Sequence, residues 1–216
     1  MITQYLVEHS NGLLKIIPEV ADWTGKEYSM FDDGGVEVEV GEFLYGFIKM
    51  LKPFNVLTTG VYTGISDMYI AQALIDNKKG KITALEFEKY HLDRARSLWN
   101  AVGVSQVIEG VYTSSLNYTP EEQYKFIFLD TEPGLRFQEM IKFYPYLDKG
   151  GYLLIHDLNG HMSQHPNEKF YGWPFGKLPQ EIIDWVKKGE LRPFHFATPR
   201  GLTVFYKPRD TDFKWE

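Results

Sequence analysis

The sequence predicts an α/β protein with a doubly wound, mostly parallel sheet of seven strands and a C-terminal antiparallel hairpin. From residue 41 onward, segments with helical periodicity alternate with extended segments. Several extended segments contain uninterrupted apolar runs such as "FIFL" and "YLLI", which suit a parallel sheet covered on both faces. Near the end of the chain, "LRPFHFA" and "LTVFYK" flank "TPRG", which predicts the hairpin.

Composition narrows the class of protein. The chain has 216 residues, of which 44% are hydrophobic, enough to bury the core of one domain. Its net charge is −6 and its basic residues are scattered, so nucleic acid and membrane surfaces are poor partners. No apolar run approaches the ~20 residues that span a bilayer, and the start does not read as a signal peptide. We therefore expect a cytoplasmic protein. The lack of cysteine excludes disulfides and thiolate sites and is only weak support for that location.

The chain divides into a short first part and one main domain. Residues 1–40 read as an irregular lead-in or lid, because Pro18, Gly25 and the turn "DDGG" interrupt them. Residues 41–216 form the main domain. We refer to residues 1–40 as the N-terminal segment.

Periodicity predicts the elements of the main domain in order. In the first helix, Phe43, Phe47, Ile48 and Leu51 share one face and Pro53 ends it. The second helix has Ser66 or Asp67 as its candidate N-cap. The predicted helices are 41–52, 66–76, 89–102, 135–147 and 179–188. The predicted strands are 54–59, 81–87, 105–110, 124–130, 151–157, 191–197 and 202–207.

A glycine turn, "TTGVYTGIS", follows the first strand of the main domain. Gly60 and Gly64 allow positive φ and close approach of a ligand to the backbone. The next helix offers its free N–H groups there. The G-x-x-x-G spacing lacks both the dinucleotide pattern G-x-G-x-x-G and the Lys-Ser or Lys-Thr pair of a phosphate loop. An ordinary tight turn is the alternative interpretation.

Glu86 is the second part of this candidate site. It ends the second strand, where a carboxylate can accept hydrogen bonds from both hydroxyls of a ribose. A surface glutamate is the alternative. With the glycine turn, it indicates an adenosine-type ligand without a strong phosphate requirement.

Together these residues resemble the class I S-adenosylmethionine-dependent methyltransferases, and more closely their small-molecule O-methyltransferase branch. The resemblance covers about residues 36–207 and includes "TTGVYTGIS", "ALEFE", "FIFLD" and "LDKGGYLLIHD". It implies a Rossmann-like sheet and S-adenosylmethionine as the cofactor. It also implies that the glycine turn contacts the methionine part and that Glu86 holds the ribose. The cofactor-binding residues predicted on this basis are Thr58, Gly60, Tyr62, Gly64, Ser66, Glu86, Tyr112 and Asp130.

Two positions depart from the family pattern. Members usually carry an acid where this chain has Thr58, and often Gly-Asp where it has Gly110-Val111. Each loss removes a charge-assisted hydrogen bond worth roughly 1.5–3 kcal/mol. Hydroxyls of Thr58, Thr59, Tyr112 or Thr113 are candidate substitutes.

Two acids at strand ends are candidates for the chemistry. Asp130 ends "FIFLD" and Asp157 follows "YLLIH", so adjacent strands would bring both to one edge of the sheet. An acceptor oxygen must lose its proton, which calls for a general base or a metal. In metal-dependent relatives, the matching acids and an asparagine directly after the second bind magnesium. Here Leu158 follows Asp157, and Asn159 lies one residue further on. Asp130, Asp157 and Asn159 are therefore the candidate Mg²⁺ ligands, with loop capping as the alternative role of the acids.

The segment 156–176 is long, polar and aromatic, which is typical of a functional loop. His161 is the leading candidate for the base, with His165 or Asp157 as alternatives. His156 is expected to point across the sheet from Asp157, in either a catalytic or a structural role. The aromatic residues of this segment have two alternative roles, either to line the binding site of a small-molecule acceptor or to pack the loop on the sheet. They are Phe170, Tyr171, Trp173 and Phe175.

The leading hypothesis is a methyltransferase that moves a methyl group from S-adenosylmethionine to an oxygen of a small molecule. The alternatives are a degenerate binding or assembly module with the same fold and an NAD- or nucleotide-dependent oxidoreductase. The glycine spacing disfavours the oxidoreductase. The family resemblance also makes a homodimer an expectation.

Overall fold

The computed structural model describes residues 2–21, 25–32, 34–158 and 178–212. Its first elements are a short helix and a two-stranded antiparallel hairpin: α1 (Ile2–His9), β1 (Ile16–Val20) and β2 (Glu27–Phe31). Within its described residues, the main domain has five helices: α2 (Val38–Leu51), α3 (Ile65–Asn77), α4 (Lys89–Ala101), α5 (Arg136–Phe143) and α6 (Gln180–Lys187). Its strands are β3 (Asn55–Thr59), β4 (Lys81–Glu86), β5 (Ile108–Tyr112), β6 (Tyr124–Leu129), β7 (Leu147–His156), β8 (Arg192–Phe196) and β9 (Leu202–Tyr206).

The seven strands of the main domain form one sheet in the order β5-β4-β3-β6-β7-β9-β8. The first five of these strands run parallel, and β9 is antiparallel to both β7 and β8. This confirms the predicted doubly wound sheet and its C-terminal hairpin. The order reverses between β3 and β6, which creates the crevice in which open α/β sheets bind ligands.

Both faces of the sheet are buried, as the apolar strands predict. Val56, Phe126 and Phe128 belong to a core shared with α2, α3 and α4. Leu57, Ile127 and Leu129 alternate with them and pack on the opposite side, towards α5 and α6. Because the centre is fixed from both sides, the carboxyl ends of β3, β4, β6 and β7 form a rigid edge.

The prediction that the N-terminal segment is irregular is wrong. Leu6, Leu14, Phe31 and Val36 are all buried in the main core. Its helix and strands are too short for a clear periodicity, and Pro18 lies within β1, whose partner is β2. Tertiary packing therefore orders this segment, and β2 is brought to the edge of the crevice.

Several element boundaries also differ from the predictions. The first helix of the main domain begins at Val38, and β7 begins at Leu147, each earlier than predicted. Residues Ser105–Val107 form a 3-10 turn before β5. The N-cap of α3 is Gly64, not Ser66 or Asp67. Within the described residues, no helix is long and apolar enough to cross a membrane.

Candidate active site

Two adjoining cavities lie at the carboxyl ends of the strands and share Gly60, Tyr62 and Asp130. The first, here the β4 cavity, has a volume of about 630 Å³ and is lined by Glu86 and the residues after β4 and β5. The second, here the β2 cavity, has a volume of about 440 Å³ and reaches Tyr28 of the N-terminal hairpin. Together they form a bent cleft over the point where the strand order reverses.

The glycine turn is required by the packing of the chain itself. Gly60 has φ 74°, and a Cβ there would lie 2.4 Å from the carbonyl oxygen of Asp130. Gly64 has φ 80°, and a Cβ there would lie 2.5 Å from Nε1 of Trp99, which donates a hydrogen bond to the Gly64 carbonyl. Gly60 also lines both cavities, so at this position the tight-turn and ligand-contact interpretations are compatible.

Glu86 is held in a defined orientation at the end of β4. Its Oε2 accepts a hydrogen bond from the Tyr62 N–H at 2.9 Å, and its Oε1 accepts one from the Glu88 N–H at 2.9 Å. The side chain is buried but lines the β4 cavity. Because each carboxylate oxygen can accept more than one hydrogen bond, both retain capacity for a ligand hydroxyl.

Thr58 does not line either cavity. Its hydroxyl is buried and donates a hydrogen bond to Oδ1 of Asp67 at 2.6 Å. Asp67 lies in the first turn of α3, and burial raises its pKa to about 7 despite this hydrogen bond. Its Oδ2 has no hydrogen-bond partner among the described residues. From the sequence, Asp67 is predicted only as a candidate helix cap. The signal that points to its pairing is an acid in the first turn of α3 together with a threonine at the usual acid position on β3.

Of the other residues predicted to contact the cofactor, Ser66 and Tyr62 line a cavity and Tyr112 does not. Ser66 lines the β2 cavity at the start of α3. Tyr62 lines both cavities and packs edge-on against His91. Tyr112 ends β5 with an exposed side chain and lines neither cavity; the neighbouring Thr113 lines the β4 cavity instead.

Asp130, His156 and Asp157 come together at the ends of β6 and β7. Nδ1 of His156 lies 3.0 Å from Oδ1 of Asp130 and 3.5 Å from Oδ1 of Asp157. Its Nε2 lies 2.6 Å from Oε2 of Glu37, a fully buried acid immediately before α2. The expectation that His156 points away from Asp157 is wrong, because Asp157 adopts φ 56° and interrupts the alternation of the strand.

Two arginines that the sequence does not predict as site residues complete this group. Nη2 of Arg136, at the start of α5, lies 3.2 Å from both Oδ1 of Asp130 and Oδ2 of Asp157. Arg200, in the turn of the C-terminal hairpin, donates from Nη2 to Oδ2 of Asp157 at 2.9 Å, and its Nε lies 2.8 Å from Oδ1. We call Glu37, Asp130, Arg136, His156, Asp157 and Arg200 the charged network.

The network fixes the protonation of its members. Burial alone would lower the pKa of His156, but the carboxylates of Asp157, Asp130 and Glu37 raise it to about 10. Burial would raise the pKa of Asp157, but Arg200, His156 and Arg136 hold it well below its usual range. A general base needs a free lone pair and a pKa near neutrality. In this arrangement His156 is a buried cation and Asp157 a weakly basic carboxylate.

Asp130, His156 and Asp157 are a set of ligand types that can hold a metal, and one ligand atom of each lies within 4.8 Å of the others. Oδ1 of Asp130 and Oδ2 of Asp157, however, already accept hydrogen bonds from guanidinium groups, which bring two permanent positive charges to the same place. Oδ1 of Asp157 has no hydrogen-bond partner among the described residues, but it lies 2.8 Å from Nε of Arg200. Magnesium requires several free oxygen ligands in near-octahedral geometry. The described residues therefore do not fit Mg²⁺.

Some predicted residues lie outside the described ranges. They are Asn159, His161 and His165, together with the aromatic residues of the same segment, Phe170, Tyr171, Trp173 and Phe175. Their assigned roles stay predictions.

Comparison with known proteins assigns the family. The model of the O-methyltransferase family matches residues 7–157, more than half of the chain. The chain belongs to the O-methyltransferase family. The match includes the glycine turn, Glu86, Asp130 and Asp157, and also most of the N-terminal segment.

Two curated plant proteins are similar to part of this chain. It is 24% identical over 136 residues to tapetum-specific methyltransferase 1 from Arabidopsis thaliana, covering 60% of this chain and 55% of the relative. A second relative from the same plant is covered over 50% of its length, so the chain spans about half of the curated relatives that it matches.

Solved structures with low sequence identity share the fold. The O-methyltransferase TomG from Streptomyces achromogenes, solved in complex with SAM, superposes with a TM-score of 0.68 at 14% identity, covering 81% of this chain and 82% of that one. The O-methyltransferase from Bacillus cereus, solved in complex with SAH, gives a TM-score of 0.66 at 16% identity and covers 80% and 83% of the two chains.

Proposed function

We propose that this chain transfers a methyl group from S-adenosylmethionine to an oxygen atom of a small-molecule acceptor. The observation that carries the proposal is the oriented carboxylate of Glu86, which lines a cavity that the glycine turn also lines. Membership of the O-methyltransferase family and the SAM- and SAH-bound neighbours of the same fold support it.

The two cavities suit the two halves of such a reaction. Glu86 would accept hydrogen bonds from the ribose hydroxyls of the cofactor in the β4 cavity, and Thr113 and Leu85 would lie near its adenine ring. The glycine turn and Ser66 would contact the methionine part of the cofactor, which would extend towards the β2 cavity. The cofactor, when bound, supplies an electrophilic methyl group on a sulfonium. The role of the protein is then largely to hold the acceptor oxygen in line with it.

The β2 cavity is the proposed acceptor site. Tyr28 and Met30 of the N-terminal hairpin, Gly34 and Arg200 line this cavity together with the glycine turn. This gives the N-terminal segment the role of an acceptor wall, consistent with the predicted lid. His161 stays the leading prediction for the base, since His156 is engaged at both ring nitrogens.

Mg²⁺ is not part of the proposal, because two of its three expected ligands, Asp130 and Asp157, bind arginine. A cytoplasmic location and a homodimer stay predictions from composition and family. The degenerate binding module remains the second candidate, since Thr58 replaces an acid that most members carry.

Calorimetric titration with S-adenosylmethionine, S-adenosylhomocysteine and NAD tests the proposal. We expect heat with both sulfur compounds and none with NAD. Glu86→Ala should weaken binding of both compounds about 10- to 100-fold, since it removes hydrogen bonds to a charged acceptor. Glu121→Ala, an exposed acid in the loop before β6, is the matched control and should bind as the wild type does.

Absence of heat with either sulfur compound at millimolar concentration would overturn the proposal. If binding is present, mass spectrometry of a panel of phenols and sugars after incubation with S-adenosylmethionine measures transfer. Binding without transfer to any member of the panel would favour the degenerate module.

A further inference from the structure

The charged network contains two cations that cannot be discharged near neutral pH. A guanidinium keeps its charge in proteins and presents five N–H donors. Arg136 and Arg200 both direct donors at Oδ2 of Asp157, and Arg136 also approaches Oδ1 of Asp130. The two carboxylates that would bind a divalent ion are therefore neutralised by two guanidinium charges at distances of 2.8–3.2 Å.

Arg136 is locked in this position by the backbone as well. Its Nε donates to the carbonyl oxygen of Thr131 at 2.6 Å, and its Nη1 donates to the carbonyl oxygen of His156. Its side chain is only 4% exposed. Displacing it to admit an ion would leave its buried charge and the carbonyl groups of Thr131 and His156 without these hydrogen bonds, which is strongly unfavourable.

Arg200 is also anchored, but it reaches the cavity. Its Nη1 donates to the carbonyl oxygen of Gly35 at 2.7 Å, and its side chain is 19% exposed. It lines the β2 cavity beside Tyr28 and Gly34. Its hydrogen bonds to Gly35 and Asp157 use two of its five N–H groups among the described residues, so others remain to bind an acceptor oxygen.

We propose that Arg136 and Arg200 take the place of the divalent ion used by metal-dependent O-methyltransferases, and that Arg200 binds the acceptor oxygen, so that this chain acts without a metal. The part of the proposal that concerns the acceptor rests on the proposed function. The part that concerns the metal does not, because ion binding can be measured without turnover.

Binding of Mn²⁺ to the metal-free wild-type chain is the first test. Mn²⁺ accepts the same oxygen ligands as Mg²⁺, and electron paramagnetic resonance distinguishes its free form from its bound form. We expect the full signal of free Mn²⁺ at micromolar protein and ion concentrations, with or without S-adenosylhomocysteine. One bound Mn²⁺ per chain that Mg²⁺ displaces would overturn the proposal, whether or not any acceptor is methylated.

Chelation and substitution provide the second test once an acceptor is found. Activity should be unchanged by EDTA and by added Mg²⁺; loss on chelation with recovery in Mg²⁺ would overturn the metal-free mechanism. Arg200→Ala should raise the KM for the acceptor about tenfold or more, while its affinity for S-adenosylhomocysteine stays within about threefold. Arg200→Lys, which keeps the charge and loses the fork, should be intermediate.

Lys149→Ala removes an exposed positive charge outside both cavities and is the matched control. Its KM for the acceptor should equal that of the wild type. An unchanged KM in a folded Arg200→Ala variant would remove Arg200 from the acceptor site. If that variant does not fold, as measured by circular dichroism, Arg200→Lys and the Mn²⁺ measurement on the wild type still decide the question.

Discussion

At the scale of single residues, the site differs most from the family pattern at Thr58. The acid expected on strand β3 is absent, but Asp67 on α3 places a carboxylate 2.6 Å from the Thr58 hydroxyl. Asp67 is fully buried and keeps one oxygen without a partner among the described residues. Asp67 therefore places a carboxylate beside Thr58 but lines neither cavity, and its burial carries a cost in desolvation.

This cost predicts that Asp67→Asn stabilises the protein, and more so at high pH. The folded-state pKa is about 7 against an ordinary value of 3.8, so the folded state binds the proton more tightly and stability falls as pH rises between these values. Urea denaturation should show the gain from Asp67→Asn growing by roughly 1–3 kcal/mol between pH 5 and pH 8.

Asp210→Asn is the control, because Asp210 pairs with Lys149 at the surface with 82% of its side chain exposed. Its effect on the free energy of unfolding should be the same at both pH values. An effect of Asp67→Asn that does not vary with pH would contradict the raised pKa.

At the scale of elements, the glycine turn lines the cleft and also packs the start of α3 against α4. The backbone of Gly64 packs directly against Trp99 and Ala95 on α4, and the indole hydrogen-bonds to its carbonyl at 3.0 Å. The start of α3, which carries Ser66 to the cavity, is thus positioned by the neighbouring helix.

Gly64→Ala should therefore destabilise the fold by roughly 2–4 kcal/mol, because it adds strain at φ 80° and a clash with the indole. Thermal unfolding measures the change. Gly46→Ala on α2 is the opposite case: a Cβ there meets nothing within 4 Å, so the substitution should stabilise by roughly 0.5–1 kcal/mol. Equal effects of the two substitutions would refute this account of the turn.

At the scale of the whole molecule, the charged network connects parts of the chain that lie far apart in sequence. Glu37 lies 119 residues before its partner His156, and it also accepts a hydrogen bond from the backbone N–H of Arg200. The N-terminal segment, the sheet and the C-terminal hairpin are thus joined at one buried point beside the cavities.

Stability should follow the titration of this network. Asp157 and Glu37 have lowered pKa values, so their contribution is present above about pH 4.5 and is lost as pH falls further. The pKa of His156 is raised from 6.5 to about 10, so its contribution is complete below about pH 6.5 and is lost as pH rises towards 10.

Glu37→Gln breaks a buried ion pair and should cost roughly 2–4 kcal/mol at pH 6 and less at pH 10, where His156 loses its charge in the wild type. Chemical denaturation at the two pH values measures the difference. Lys89→Ala, which removes an exposed pair with Asp93, should cost less than about 0.5 kcal/mol. A pH-independent cost for Glu37→Gln would contradict the charged state of His156.

The sequence by itself determined the sheet, the helices of the main domain, the glycine turn, and Glu86 at a strand end. These features are local: apolar period, glycine spacing and the end of a strand are set by neighbours in the chain, so a single sequence reveals them. Asp130 and Asp157 were predicted to meet for the same reason, since parallel strands bring their carboxyl ends to one edge.

Only the tertiary structure decided which charges meet there. Glu37, Arg136 and Arg200 come from an ordered N-terminal segment, the start of a helix and a hairpin turn, and no local pattern distinguishes them from surface charges. Asp67 is likewise buried by its neighbours and not by its position in α3. Whether two acids hold a metal or an arginine depends on cations distant in sequence, because opposite charges pair only where packing brings them within a few ångströms and excludes water.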